Sequence, residues 1–496
     1  MDDSKAFDRL LTLQRLNQDS SWVNRDLYRL LYKPELYVLA YERIKSKAGN
    51  MTKGVDGTTL DGTSLETFRD LIAEIRDESY TPKPSRRVYI PKANGKLRPL
   101  GVPSVKDKIV QEIVRTILEC IYDSPKGPTF LEVSHGFRSN RSTHTALKDV
   151  VTRWSGTKWW IEGDIKAFFD EIDHEILISL LRKRIEDDRF INLIRKFLKA
   201  GYVEDDVFVR TPKGTPQGGL LSPILANVYL HEFDRWVTTL SKSLHKGDKR
   251  KANPLWRRYN RQRSYILNKC KGKPNTEEAE RISELNDLIA ITPSVDINDP
   301  DFIRVRYIRY ADDWLIGVTG PKRLAEEIKE KATQFFKRYK LELSPEKTKI
   351  TVATDRADFL GFEIAVPTYK EPLLQKFKAS NHSVHTKRRS AARNTVALWV
   401  SFEKLCKKLH EERFITYDKN GVPISISKTS YVHLDPDEIV KRYNAIKRGI
   451  INYYRPVRNP SVLRRFDYLL RMSLAKTLAH KYRTSMKRQF QLRGRS

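Results

Sequence analysis

Cysteine is nearly absent from this 496-residue chain: Cys120, Cys270 and Cys406 are the three it has, and they are widely scattered. No pair of them has zinc-ligand spacing, and an odd count argues against a disulfide framework, so a reducing compartment is expected. Apolar residues make up 39% of the chain. No apolar run approaches the length that spans a bilayer, so a soluble protein is expected. The start, Met1–Leu11, carries Asp2, Asp3 and Asp8 and no apolar core. It reads as neither a signal peptide nor an Arg-rich transit peptide, so the protein is expected to work where it is made or to have lost a leader already.

Negative charge is also scarce relative to positive. There are 62 acids against 93 Lys and Arg, a formal net charge of +31. An excess of that size destabilises a fold by self-repulsion unless a polyanion neutralises it, and nucleic acid is the usual polyanion. At this length the chain should hold two or three domains and bury a sizeable core.

One short stretch organises the rest. Val305–Val318 reads as two β-favouring apolar runs with Asp312 and Asp313 between them, a hairpin with an acidic turn. Adjacent carboxylates repel, and a hard divalent cation such as Mg²⁺ is the simplest remedy. On this stretch alone an ordinary Asp-Asp turn is the better reading. Trp159–Asp170 shifts the balance: it is a second apolar, aromatic run, and it delivers Asp164 to a sheet edge. Asp164 could equally be a helix N-cap, and it could serve both purposes. If distant strands pair, the three acids could hold two metals roughly 4 Å apart, the arrangement used for in-line phosphoryl displacement.

Five ordered blocks carry a family resemblance. Tyr310-Ala311-Asp312-Asp313 resembles the catalytic box of reverse transcriptases, and Gly214–Pro223 resembles a second block of the same enzymes. Ile90-Pro91-Lys92 through Lys96–Gly101 resembles a third, and Gly136-Phe137-Arg138 with Ser142 and His144 a fourth. Phe359–Phe362 resembles the fifth. Their order and spacing, from about Asn24 to about Tyr482, resemble the reverse transcriptase/maturase encoded by group II introns. The resemblance implies an α+β right-hand polymerase: fingers, a palm with an antiparallel sheet, then an α-helical thumb or maturase domain. It implies RNA-directed DNA synthesis and help with intron splicing. Asp164 and Asp312 would hold two Mg²⁺ ions, with Mn²⁺ a possible substitute, while Asp313 supports them; Ile165 joins the metal set.

The same resemblance gives Lys92, Arg98, Phe169, Gln217, Ala311 and Lys347 to the incoming nucleotide. Lys92 and Arg98 would grip the triphosphate, and Phe169 would exclude a 2′-hydroxyl. Gln217 would pack by the base and sugar, and Lys347 would stand near the leaving pyrophosphate. Expected partners are group II intron RNA, an RNA template/DNA primer duplex, dNTPs and target DNA, in a bacterial cytoplasm or an organelle matrix. Relatives with a C-terminal nuclease domain carry cysteine pairs and clustered histidines there; this chain reaches Ser496 with neither, so no endonuclease activity is expected. Two rivals remain open at this point: a mainly RNA-binding splicing factor, and a reverse transcriptase recruited to another use such as phage defence.

Domains are expected at 1–110 (N-terminal extension and fingers), 111–375 (palm), 376–394 (linker), 395–482 (thumb) and 483–496 (basic tail). Residues 238–300 read as a basic insertion in the palm, resembling the mitochondrial-like subgroup of intron maturases. Its cations are interleaved with Trp256, Tyr259 and Tyr265, a composition suited to RNA phosphate and base stacking, and a solvated charged excursion competes with that reading. Candidate RNA contacts are Lys249, Arg250, Arg257, Arg258, Tyr443 and Arg448. Ile439, Tyr443, Ile446 and Ile450 form an apolar stripe within Asp437–Tyr454, the first of two thumb helices.

Overall fold

The computed structural model describes residues 4–47, 49–91, 97–216, 218–367, 373–378, 384–389 and 395–493. At its centre is a four-stranded antiparallel sheet. The strands run in the order Arg304–Tyr310, Asp313–Thr319, Trp159–Gly163 and Lys349–Val352. Both faces are covered, which is why the strands read as near-continuous apolar runs rather than strict alternation. Ile161, Tyr307, Trp314 and Ile316 pack into one core with the helices Ser222–Leu244 and Lys322–Arg338. Trp160, Ile308 and Leu315 face a second core, built from helix Thr143–Arg153 and the C-terminal helices Pro436–Tyr454 and Pro460–Lys481. The C-terminal unit is thus seated on the sheet through shared apolar burial.

A second sheet joins Leu97–Val102, Ser85–Pro91, Tyr202–Glu204 and Val207–Val209, so it takes strands from both sides of residue 110. Helix Val105–Tyr122 runs through that position without a break, with its apolar residues almost all in the core. Between residues 376 and 394, expected as a linker, part of a paired hairpin is present: Leu373–Lys378 pairs with Val384–Arg389. The basic insertion is more ordered than its composition suggests. Helix Ser222–Leu244 extends into it, and Pro254–Lys269 and Thr276–Ile291 then form a pair of contacting helices. Among the described residues no helix is long and apolar enough to cross a membrane.

Candidate active site

The hairpin turn is as tight as the strand register allows. Tyr310 pairs directly with Asp313, leaving Ala311 and Asp312 as a two-residue loop. Such loops need a positive φ at the first position, usually supplied by glycine. Here Ala311 takes it, at φ +56°. The next strand brings in the third acid. Gly163 pairs with Trp314, so one further step along the same register sets Asp164 across from Asp313. Gly163 has no side chain because a Cβ there would lie 2.0 Å from the Trp314 ring. Beyond it, Ile165 bridges to Leu343, and the amide of Ser344 donates to the Asp164 carbonyl at 2.9 Å. The turn that follows carries Lys347 back over the site, where its Nζ donates to Asp164 Oδ2 at 2.9 Å.

Like charges define the electrostatics. Burial, then the Asp312 carboxylate, then Asp164 push the Asp313 carboxyl up to about 7, and in its neutral form it donates to Asp164. Asp313 remains open to solvent on one side, and the repulsion of its two neighbours acts on it there. Asp312 is raised too, by burial and by Asp164, against the opposing pull of Lys347 and Arg98. The hydrogen bond to Asp164 raises Lys347 in turn. A cleft of about 450 Å³ opens beside Asp164, Asp313 and Lys347.

Among the described residues no three His, Cys, Asp or Glu side chains are gathered so that they could hold a metal ion as they stand. The positive charge set against Asp164 is the Lys347 ammonium. The donor chemistry nevertheless fits a hard divalent cation: three carboxylates whose repulsion a cation relieves, reached from a solvent-filled cleft. Ile165 is buried and its side chain is a hydrocarbon, so it could contribute to an ion only through its backbone carbonyl.

Asp313 makes cation binding depend on pH. Its carboxyl is held above the ordinary 3.8, so the folded chain keeps a proton that the unfolded chain releases. The stability from that neutral carboxyl is full below about pH 4 and is lost as pH rises through about 7. A divalent cation competes for the same oxygens. Mn²⁺ is therefore expected to raise Tm more at about pH 8 than at about pH 6, and Asp313→Asn should flatten the difference. Equal shifts at both pH values in the unsubstituted protein would contradict this.

The other expected residues divide. Arg98 lies close enough to act on Asp312. Phe169 is half-buried, its ring edge-on to Phe137 at 6.2 Å, while Phe168 is core. Ala311 is 9% exposed and its carbonyl accepts from Arg309 at 2.8 Å, so only its other atoms are free to meet a nucleotide. Lys92 and Gln217 lie outside the described residues.

One of the RNA-contact expectations is overturned. Tyr443 is 2% exposed, with its hydroxyl bonded to Ser473 and Thr477 in the C-terminal core, so it cannot reach RNA. Arg250 is half-buried, donating to the Gly156 carbonyl at 2.8 Å with its guanidinium over Phe302, and part of it stays exposed. Lys249, Arg257, Arg258 and Arg448 are exposed.

The most elaborate group at the site went unnoticed in the sequence. Arg309 is fully buried beneath the hairpin tip and pairs with an equally buried Asp234. The available signal was weak: Arg309 is one of three arginines in its strand, and Asp234 is the lone Asp in the helix Ser222–Leu244.

Comparison with known families matches this geometry. Residues 90–246 and 283–364 match the reverse transcriptase (RNA-dependent DNA polymerase) family, a span that contains all three acids. Residues 393–494 match the type II intron maturase family. The group II intron-encoded protein LtrA of Lactococcus lactis subsp. cremoris is 37% identical over 462 residues, covering 93% of this chain and 75% of LtrA. The chain belongs to the group II intron-encoded reverse transcriptase/maturases.

Two fungal proteins are similar at 36% identity. One is a 91 kDa protein in the cob intron of Schizosaccharomyces pombe, with 95% of this chain and 56% of that protein covered. The other is a putative COX1/OXI3 intron 1 protein of Saccharomyces cerevisiae, with 97% and 56% covered. The central sheet is accordingly the palm of a reverse transcriptase, and the C-terminal helices are its maturase domain. The chain is an RNA-directed DNA polymerase joined to a splicing maturase.

Proposed function

We propose that this maturase copies intron RNA into DNA at the Asp164, Asp312 and Asp313 cluster. The observation that carries this reading is the convergence of those acids on one sheet edge, one from the Trp159–Gly163 strand end and two from the hairpin. Bound there, a divalent cation supplies charge neutralisation and a lowered pKa for an attacking primer hydroxyl. The carboxylates offer hard oxygen ligands once Asp313 loses its proton. Lys347 exchanges its bond to Asp164 for one to the triphosphate, and Arg98 adds a second positive charge on the fingers sheet.

Phe169 forms one wall for the sugar. With its ring in place a 2′-hydroxyl meets carbon rather than space. Phe169→Ala should narrow the preference for dNTP over rNTP by about a hundredfold, read as a ratio of kcat/KM values. An unchanged ratio would remove Phe169 from that role.

Intron RNA is held outside the polymerase cleft as well. On helix Pro254–Lys269, Arg257, Arg258 and Arg261 project to solvent beside the exposed Tyr265, while the partner helix carries Glu277, Glu280 and Glu284. This insertion joins the palm at Arg304, the opposite end of a seven-residue strand from the Ala311 turn and about 20 Å away. Replacing Arg257, Arg258 and Arg261 together by Glu should make the salt dependence of intron-RNA binding shallower by roughly 2–3 in log–log slope. Primer extension on a short homopolymer template should be unaffected. An unchanged slope would remove this surface from RNA binding.

A further inference from the structure

Arg309 is placed to do more than fill the palm core. Its guanidinium is 0% exposed and every donor direction is used. Nε and Nη2 form a two-pronged pair with Asp234, at 2.7 and 2.6 Å. Nη2 also donates to Ser134 Oγ at 2.8 Å. Nη1 donates to Asn227 Oδ1 at 3.0 Å and to the Ala311 carbonyl at 2.8 Å. Asn227 in turn donates to the Gly136 carbonyl at 2.8 Å, and Tyr307 donates to Asp234 at 2.7 Å. The Arg309 backbone holds the same loop, donating to the Val133 carbonyl and accepting from the His135 amide. One side chain therefore ties the helix Ser222–Leu244 and the loop around Ser134–Gly136 to the residue that precedes Asp312.

Stability alone is a poor reason for this arrangement. A buried ion pair recovers little more than its desolvation cost, and apolar side chains of similar volume commonly do as well. An apolar pair could not hold the Ala311 carbonyl. That residue sits at φ +56°, a conformation that costs a Cβ-bearing residue energy and persists only where its surroundings enforce it.

We propose that Arg309 is a positioning residue for synthesis. Through the Ala311 carbonyl it fixes the turn that aims Asp312 at the metal, with Asp234, Asn227 and Ser134 holding the guanidinium in register. This rests on the reading of Asp312 as a metal-holding carboxylate. Displacement of a reacting group by about 1 Å can cost about a hundredfold in rate, so small losses of alignment here should register.

The test uses the full-length protein with Arg309→Lys, Asn227→Ala as a milder variant, and Arg184→Lys as a control. Arg184 is also buried, but it bonds Asn17, Trp22 and Thr129 near the N-terminal helix. Three quantities are compared: Tm, the kcat and dNTP KM of primer extension, and Mn²⁺ affinity by the EPR signal of free Mn²⁺. All three variants should lower Tm. Arg309→Lys should lower kcat by about a hundredfold and weaken Mn²⁺ binding, with KM for dNTP changed much less. Asn227→Ala should move kcat and Mn²⁺ affinity the same way by a smaller factor, and Arg184→Lys should move neither. If Arg309→Lys folds, or failing that Asn227→Ala, and keeps kcat and Mn²⁺ affinity at the level of the control, Arg309 is structural only and the proposal fails. Asp312→Asn in the same assay separates the two ideas: if it too keeps normal kcat and Mn²⁺ affinity, the reading of the metal site has failed instead.

Discussion

Asp312→Asn is expected to reduce DNA synthesis by about ten-thousandfold, the scale on which removing one member of an interdependent catalytic set is read. The substitution preserves size and removes one negative charge at the hairpin tip. Its structural consequences are favourable. Asp312 is partly buried beside Asp164 and Asp313; Asp164 raises both of its neighbours, and Asp312 raises Asp313. Without it, Asp313 should titrate nearer the ordinary carboxylate range, and the protein should be at least as stable at neutral pH. Loss of activity with no loss of Tm is the signature of a group kept for chemistry at a cost in stability. Binding to intron RNA should persist, because the basic helix face of the insertion lies at the far end of the palm hairpin. If the variant still supports splicing, the maturase role stands apart from polymerisation. Primer extension at an unaltered rate would overturn the assignment of Asp312.

Gly136→Ala should be nearly as damaging, although glycine carries no functional group. A Cβ at Gly136 would lie 2.2 Å from the Ala311 nitrogen, 2.9 Å from its Cα and 3.0 Å from the Tyr310 carbonyl carbon. All three are backbone atoms, so no side chain can swing aside. Either the loop backs away, or the turn carrying Asp312 moves. Backing away would strain the Asn227 hydrogen bond to the Gly136 carbonyl. The expected result is a loss of about 1–3 kcal/mol in stability from overpacking and about a hundredfold in kcat from misalignment. Wild-type Tm and kcat in this variant would show that the close approach is not required.

Much of the fold was legible because its local signals agree with its tertiary role. Val105–Tyr122, Lys322–Arg338 and Pro436–Tyr454 bury one face or more, so their apolar spacing announces them. The acid convergence could be inferred only by taking two separated blocks together, since nothing local to Asp164 pairs it with Asp313. Elsewhere the signals were weak or misread. Helix Pro254–Lys269 buries none of its residues, so it leaves no apolar stripe; its start is marked only by the Asn253 cap and Pro254. Tyr443 was assigned to RNA although its spacing with Ile439 already placed it on the apolar stripe, and burial settles it there. Arg309 and Asp234 are 75 positions apart, and no periodicity links two complementary charges across that distance.

The central claim is that Asp164 and Asp312, delivered by separate strands, share the binding of a divalent cation. Mn²⁺ titration of the protein with template and primer bound, followed by EPR, tests it directly. Saturable binding that is lost in Asp164→Asn and in Asp312→Asn alike, in proteins of unchanged Tm, is the predicted result. Identical isotherms for the wild type and both variants would contradict it.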